Sequence, residues 1–109
     1  SVWLLAKEYQ RAVLDFNAAI EVVADDAALY FNRGIAHASM GDRDKANLDY
    51  AQAIKLKPDF AAAFHNRGVE YERAGDPAAA LADFRRALEI DANLKPSADG
   101  IRRLTRGQL

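Results

Sequence analysis

The feature that most constrains this chain is a repeat of 34 residues. Residues 27–60 laid on residues 61–94 are identical at ten positions: Ala27/Ala61, Ala28/Ala62, Asn32/Asn66, Arg33/Arg67, Gly34/Gly68, Gly41/Gly75, Asp42/Asp76, Ala46/Ala80, Asp49/Asp83 and Ala53/Ala87. Other pairs swap like for like: Tyr30/Phe64, Ile35/Val69, Tyr50/Phe84, Ile54/Leu88 and Leu56/Ile90. One step back, Ala12, Asp15, Phe16, Ala19 and Ile20 fall on Ala46, Asp49, Tyr50, Ala53 and Ile54. A period of this length is the mark of a stacked array, in which each unit is one supersecondary element that buries its apolar face on its neighbours.

The unit reads as two helices. Alanine is abundant, while Gly and Pro occur singly at fixed phases, and no long stretch alternates apolar with polar residues. That composition favours helix over strand. In the first full unit, helix A is expected over 27–40, a turn at Gly41-Asp42 and helix B over 43–57. In the second, helix A is expected over 61–74, a turn at Gly75-Asp76 and helix B over 77–91. Gly41 and Gly75 suit the left-handed residue that ends a helix. Pro77 suits a first helical turn, where a missing N–H is harmless. Lys57-Pro58-Asp59 breaks between units, because proline cannot continue a helix. Residues 1–26 read as the last two-thirds of an earlier unit, with residues 1–6 supplying half of a helix A. Residues 95–107 read as a closing helix with an apolar stripe of Ala98, Ile101 and Leu104. Its Arg102, Arg103 and Arg106 suit a helix C-terminus.

Tyr30, Gly34, His37, Gly41, Ala46, Tyr50, Ala53 and Pro58 resemble the tetratricopeptide repeat signature. Phe64, Gly68, Tyr71, Gly75, Ala80, Phe84 and Ala87 resemble it again, with Ala92 where proline is usual. The resemblance covers residues 1–94. It implies an all-α fold: a right-handed superhelical array of antiparallel helix pairs, an α-solenoid with a C-terminal capping helix, forming one domain over 1–109. Gly34 and Gly68 are expected to let helices A and B approach closely, with Ala46, Ala53, Ala80 and Ala87 opposite. Two departures recur. Arg33 and Arg67 stand where the family usually has Leu, and Asp15, Asp49 and Asp83 precede the helix B aromatic. A partly buried Arg needs a carboxylate, so each Arg is expected to pair with an Asp of its own or the preceding helix B.

Composition argues against several functions. A formal net charge of −1 leaves no footprint for nucleic acid. Three arginines on the closing helix are too few to change that. No apolar run approaches the roughly 18–20 residues that membrane insertion needs. With no cysteine there is no disulfide, thiolate metal site or Cys nucleophile, and both a cytoplasmic and a periplasmic location are allowed. The tightly spelled, alanine-rich repeats give the chain a bacterial look. His37 occupies a core phase and is expected to be packed, whereas His65 is expected to face a groove. Neither lies in H-E-x-x-H spacing. Ser1, Ser39 and Ser97 are outside any G-x-S-x-G elbow, and no glycine-rich loop cradles phosphate. No catalytic residue, cofactor or metal site is expected, and the chain reads as a binding protein rather than an enzyme.

The resemblance implies that A helices line a concave groove holding an extended peptide or a partner helix. The A-helix phases facing away from helix B are Ala28, Phe31, Asn32, Ile35, Ala38 and Ser39, then Ala62, His65, Asn66, Val69, Glu72 and Arg73. Leu4 and Leu5 extend this surface. Asn32 and Asn66 are the first candidates, because an amide pairs with both the N–H and the C=O of a peptide backbone. Phe31, Ile35 and Val69 would add apolar contact, and Glu72 and Arg73 selectivity. A carboxylate clamp for acidic chaperone tails would need cations at set phases. In one register these are Phe31, Ile35, Asn66, Pro96 and Gly100, in the other Ser1, Asn32, Ala62 and Asn66, and none is cationic. The first residues, including Trp3, Leu4 and Leu5, leave an apolar edge. The chain, which lacks an initial Met, reads as a piece of something longer, and self-association through that edge is the structural alternative to peptide binding.

Overall fold

Two interhelical turns show how local sequence sets the architecture. In the computed structural model, which describes residues 2–106, Gly41 and Gly75 take φ values of 81° and 80°. These left-handed residues close the preceding helices. The Asp42 and Asp76 amides reach back to the carbonyls of His37 and Tyr71, each at 2.9 Å, in a Schellman arrangement. The same aspartates then start the next helices. Asp42 accepts from the Lys45 amide at 3.3 Å and Asp76 from the Ala79 amide at 3.2 Å, meeting orphan donors of the first turn.

Six helices and no strand occur among the described residues. They are α1 (Val2–Val22), α2 (Ala27–Ser39), α3 (Arg43–Leu56), α4 (Ala61–Arg73), α5 (Pro77–Ile90) and α6 (Lys95–Thr105). The fold is all-α, as the repeat implies. Helices A and B of the full units match their expected spans to within a residue or two. Ser1 and Gly107, which the sequence reading included, lie outside the described residues.

The N-terminal segment differs from the expected half-helix, turn and helix. Val2–Val22 is one uninterrupted helix. Lys7-Glu8 occupies the phase of Gly41-Asp42, and Lys7, Glu8 and Gln10 are good helix formers with no left-handed residue among them. With no turn signal, the helix equivalent to α3 and α5 simply extends toward the N-terminus.

The chain divides into two units, Ser1–Pro58 and Asp59–Leu109. In the first, α2 packs against both α1 and α3. Its core is Ala36, Ala46, Tyr50 and Ala53. A Cβ on Gly34 would stand 2.8 Å from the Tyr50 ring, so the close approach of α2 to α3 requires glycine there. In the second, α5 packs against both α4 and α6 around Ala63, Ala80, Phe84 and Ala87. Gly68 meets the Phe84 ring as Gly34 meets Tyr50. The buried face of α6 differs from the expected stripe. Ser97 and Gly100 are its buried residues, while Ala98, Ile101 and Leu104 are half-buried.

Candidate functional site

Each A helix is fixed to its B helix by a fork of two hydrogen bonds. Arg33 donates from Nε and Nη2 to the two oxygens of Asp49 at 2.8 and 2.7 Å, and Arg67 does the same to Asp83 at 2.8 and 2.9 Å. Both carboxylates are buried, and each guanidinium lies over an aromatic ring, Tyr30 for Arg33 and Phe64 for Arg67. Each Arg therefore takes the Asp of its own helix B. Planar bidentate pairing with ring stacking suits Arg and would not be reproduced by Lys. Arg33 has a further acceptor, the Asn17 side chain of α1 at 2.9 Å. His37 is buried 3.8 Å from Asp49, a packed position as expected.

The forks set the rotation of α2 and α4, and with it the face that each turns outward. On α2, Phe31 is half-buried with its ring centroid 6.0 Å from that of Tyr50. Asn32 and Ile35 beside it are exposed. On α4, Asn66 and Val69 are half-buried and Arg73 is exposed, donating to Glu70 at 2.9 Å. The side chains of Asn32 and Asn66 make no hydrogen bond among the described residues, so neither braces a neighbouring helix.

His65 and Glu72 have a different environment. His65 Nδ1 lies 2.7 Å from the Ser97 hydroxyl on α6, and its ring packs against Phe84 at a tilt of 40° with centroids 5.3 Å apart. Burial, followed by the Arg103 charge, pushes its pKa below the usual histidine value. Glu72 accepts two hydrogen bonds from Arg103 on α6 at 2.6 and 2.7 Å. That pairing holds its carboxyl below the usual range. These two residues, seven apart on α4, grip α6 at Ser97 and Arg103. Sequence reading missed Ser97 and Gly100 as partners. They fall outside the 34-residue alignment, and only a buried-Ser or close-packed-Gly signal in a short helix could have marked them.

Among the described residues no three His, Asp or Glu side chains converge to hold a metal ion. No described helix is long and apolar enough to cross a membrane. A hollow of about 420 Å³ in the first unit is lined by Gln10, Val13, Leu14, His37, Met40, Asp42 and Lys45.

Comparison with known proteins agrees with this geometry. Two family models described as Tetratricopeptide repeat match residues 27–60 and 61–94. No curated protein matches the chain. Among solved structures, the Arabidopsis OM64 TPR domain is similar at 27% identity, with 94% of this chain and 84% of that one covered and a TM-score of 0.88. The second TPR domain of human RPAP3, solved with the HSP70 peptide SGPTIEEVD, is similar at 25% identity, covering 91% and 82%, with a TM-score of 0.84. The Yersinia enterocolitica type III secretion chaperone SycD, solved with a peptide of the translocator YopD, shares the fold at 16% identity, covering 99% and 92%, with a TM-score of 0.89. With matched repeats spanning residues 27–94, the chain belongs to the tetratricopeptide repeat family, whose fold is a protein-interaction scaffold.

Proposed function

We propose that this scaffold binds an extended peptide or a partner helix through the outward face of an A helix, that of α2 in the first unit and that of α4 in the second. The contacts fall to Phe31, Asn32 and Ile35 on α2 and to Asn66 and Val69 on α4, with Arg73 at the rim. The observation that carries this reading is the pair of uncommitted amides. Asn32 and Asn66 repeat at one phase and have no partner among the described residues, although side-chain amides offer both donors and acceptors. Apolar neighbours beside each amide give the mixed surface on which peptide backbones dock. His65 and Glu72, tied to α6, act by holding that helix in place.

The ligand differs from an acidic chaperone tail. The RPAP3 domain was solved with a peptide ending in EEVD, yet here the positions a carboxylate clamp would use hold Phe31, Ile35, Asn66, Pro96 and Gly100, or Asn32, Ala62 and Asn66. A neutral or apolar segment suits this face. Selection from a random peptide library on the intact chain tests the reading. Enriched sequences should share apolar positions and lose binding to the Asn32→Ala/Asn66→Ala variant. Enrichment that survives the double substitution would move the site elsewhere.

A further inference from the structure

His37 on α2 is only 9% exposed, yet its ring makes no hydrogen bond among the described residues. Asp49 Oδ2 stands 3.8 Å from Nε2, beyond hydrogen-bonding distance, and both oxygens of that carboxylate are taken by Arg33. A buried polar ring without a partner is unusual in a native fold. The second unit carries Tyr71 at the same phase. His37 instead lines the hollow of about 420 Å³ that α1, α2 and the start of α3 border within the first unit. Val13, Leu14 and Met40 give this hollow apolar walls, and Gln10, Asp42 and Lys45 complete it. Lys45 Nζ lies 3.7 Å from Asp42 Oδ2, so the two charges offset each other.

We propose that this hollow takes the tyrosine or tryptophan side chain of a protein partner, whose O–H or N–H donates to His37. Charge selects a neutral occupant. Asp42 and Asp49 oppose a carboxylate, and Lys45 opposes a cation. The Asp49 carboxylate favours hydrogen on Nε2 of the neutral imidazole, which leaves Nδ1 as an acceptor. The occupant therefore offers one donor and an otherwise apolar body. Phenol and indole rings have that chemistry, and the Met40 thioether suits an aromatic edge or face. The mouth is wide, since Gln10, Leu14 and Lys45 are all exposed. A ring seated there keeps its attachment in solvent, as a side chain on a polypeptide does, whereas sites for free small molecules enclose most of the ligand. His37 follows Ile35 by two residues, about 200° around the helix. The hollow is thus separate from the outward face of α2.

The test titrates p-cresol, 3-methylindole and toluene into the isotope-labelled intact chain and follows backbone amide shifts by NMR. The first two should move the amides of Val13, Leu14, His37 and Met40 saturably. Toluene, which has no donor, should bind about fivefold more weakly or worse. A capped peptide with one tyrosine among alanines should bind at least as tightly as p-cresol. His37→Tyr, which copies Tyr71 of the second unit, and Leu14→Asp, at an exposed position, should each weaken p-cresol by about fivefold or more. If His37→Tyr lowers the melting temperature, Leu14→Asp alone decides. Asn32→Ala/Asn66→Ala should leave binding unchanged, which separates failure of this site from failure of the outward faces. Shifts that do not saturate, toluene binding as well as p-cresol, or binding indifferent to Leu14→Asp would overturn the proposal. So would a site that admits p-cresol and excludes the peptide, because that result gives the hollow to a free aromatic molecule.

Discussion

Gly68 and Gly100 close on opposite edges of the Phe84 ring. A Cβ on Gly68 would lie 2.8 and 2.9 Å from one edge, and a Cβ on Gly100 2.7 and 2.8 Å from the other. The ring itself is fully buried. One aromatic side chain of α5 thus sets the approach of both α4 and α6. The bare backbone of two glycines is what lets three helices meet around it.

Alanine at either position should destabilise the second unit. In an exposed helix interior, Gly→Ala gains about 1 kcal/mol from propensity. Here the added methyl enters a packed ring, and overpacking costs about 1–3 kcal/mol. Urea midpoints of Gly68→Ala and Gly100→Ala should both fall. Stabilisation by either would show that the ring has room. Gly41→Ala should also destabilise, through strain alone, since its φ is positive and nothing stands near its Cβ.

The Arg67–Asp83 fork should appear as energetic coupling. Removing one partner leaves a buried charge without its complement, whereas removing both leaves an apolar contact. The cycle Arg67→Leu, Asp83→Leu and the double variant should show a coupling of about 1–3 kcal/mol. Additive changes would mean the pair is only incidental. In the Arg33–Asp49 cycle, Arg33 keeps Asn17 when its Asp is removed, so Asp49→Leu alone should be the milder of the two Asp substitutions.

Much of this was legible in the sequence because the repeat reports tertiary contacts as well as helices. Gly34 with Tyr50, and Arg33 with Asp49, recur together at a fixed offset as Gly68 with Phe84 and Arg67 with Asp83, and both couples touch in both units. Where the offset fails, legibility fails. Gly100 stands 32 residues after Gly68 rather than 34, so its contact with Phe84 was invisible to repeat arithmetic. Ser97 was invisible too, since one buried hydroxyl in a short helix has no pattern. For α1, a phase counted from its neighbours suggested a turn, but Lys7-Glu8 lacks the glycine that forms one. Asn32 and Asn66 were legible as a repeated pair. Their lack of partners needed coordinates.

Acid should loosen α6 from α4. Burial and the Arg103 charge lower the His65 pKa below its unfolded value of 6.5. Stability from the neutral ring is complete above that value and is lost as pH falls through the folded pKa. Arg103 also lowers Glu72, whose contribution is present above its unfolded value of 4.5 and is lost at still lower pH. Thermal unfolding should therefore show stability declining below about pH 6.5, with His65→Gln flattening the upper part of the decline. An unchanged profile in His65→Gln would assign the titration to other groups. Ser97→Ala should destabilise by about 1–3 kcal/mol if the His65 ring nitrogen is left unpaired.

The peptide SGPTIEEVD, bound by the RPAP3 domain, should bind this chain at least about a hundredfold more weakly than a selected apolar peptide, in line with the missing charge pairs. Isothermal titration would measure it. Comparable affinities would mean that arginines such as Arg73 or Arg103 leave their carboxylate partners to hold the acidic tail.

The central claim is that the outward face of an A helix, α2 in the first unit or α4 in the second, holds a protein partner. Affinity capture from the source lysate, read by mass spectrometry, tests it most directly when the intact chain is compared with Asn32→Ala/Asn66→Ala, checked for an unchanged circular dichroism spectrum and melting temperature. The account predicts a protein retained by the intact chain and lost by the folded double variant. Equal retention by both, or retention only of the chain itself, would contradict it.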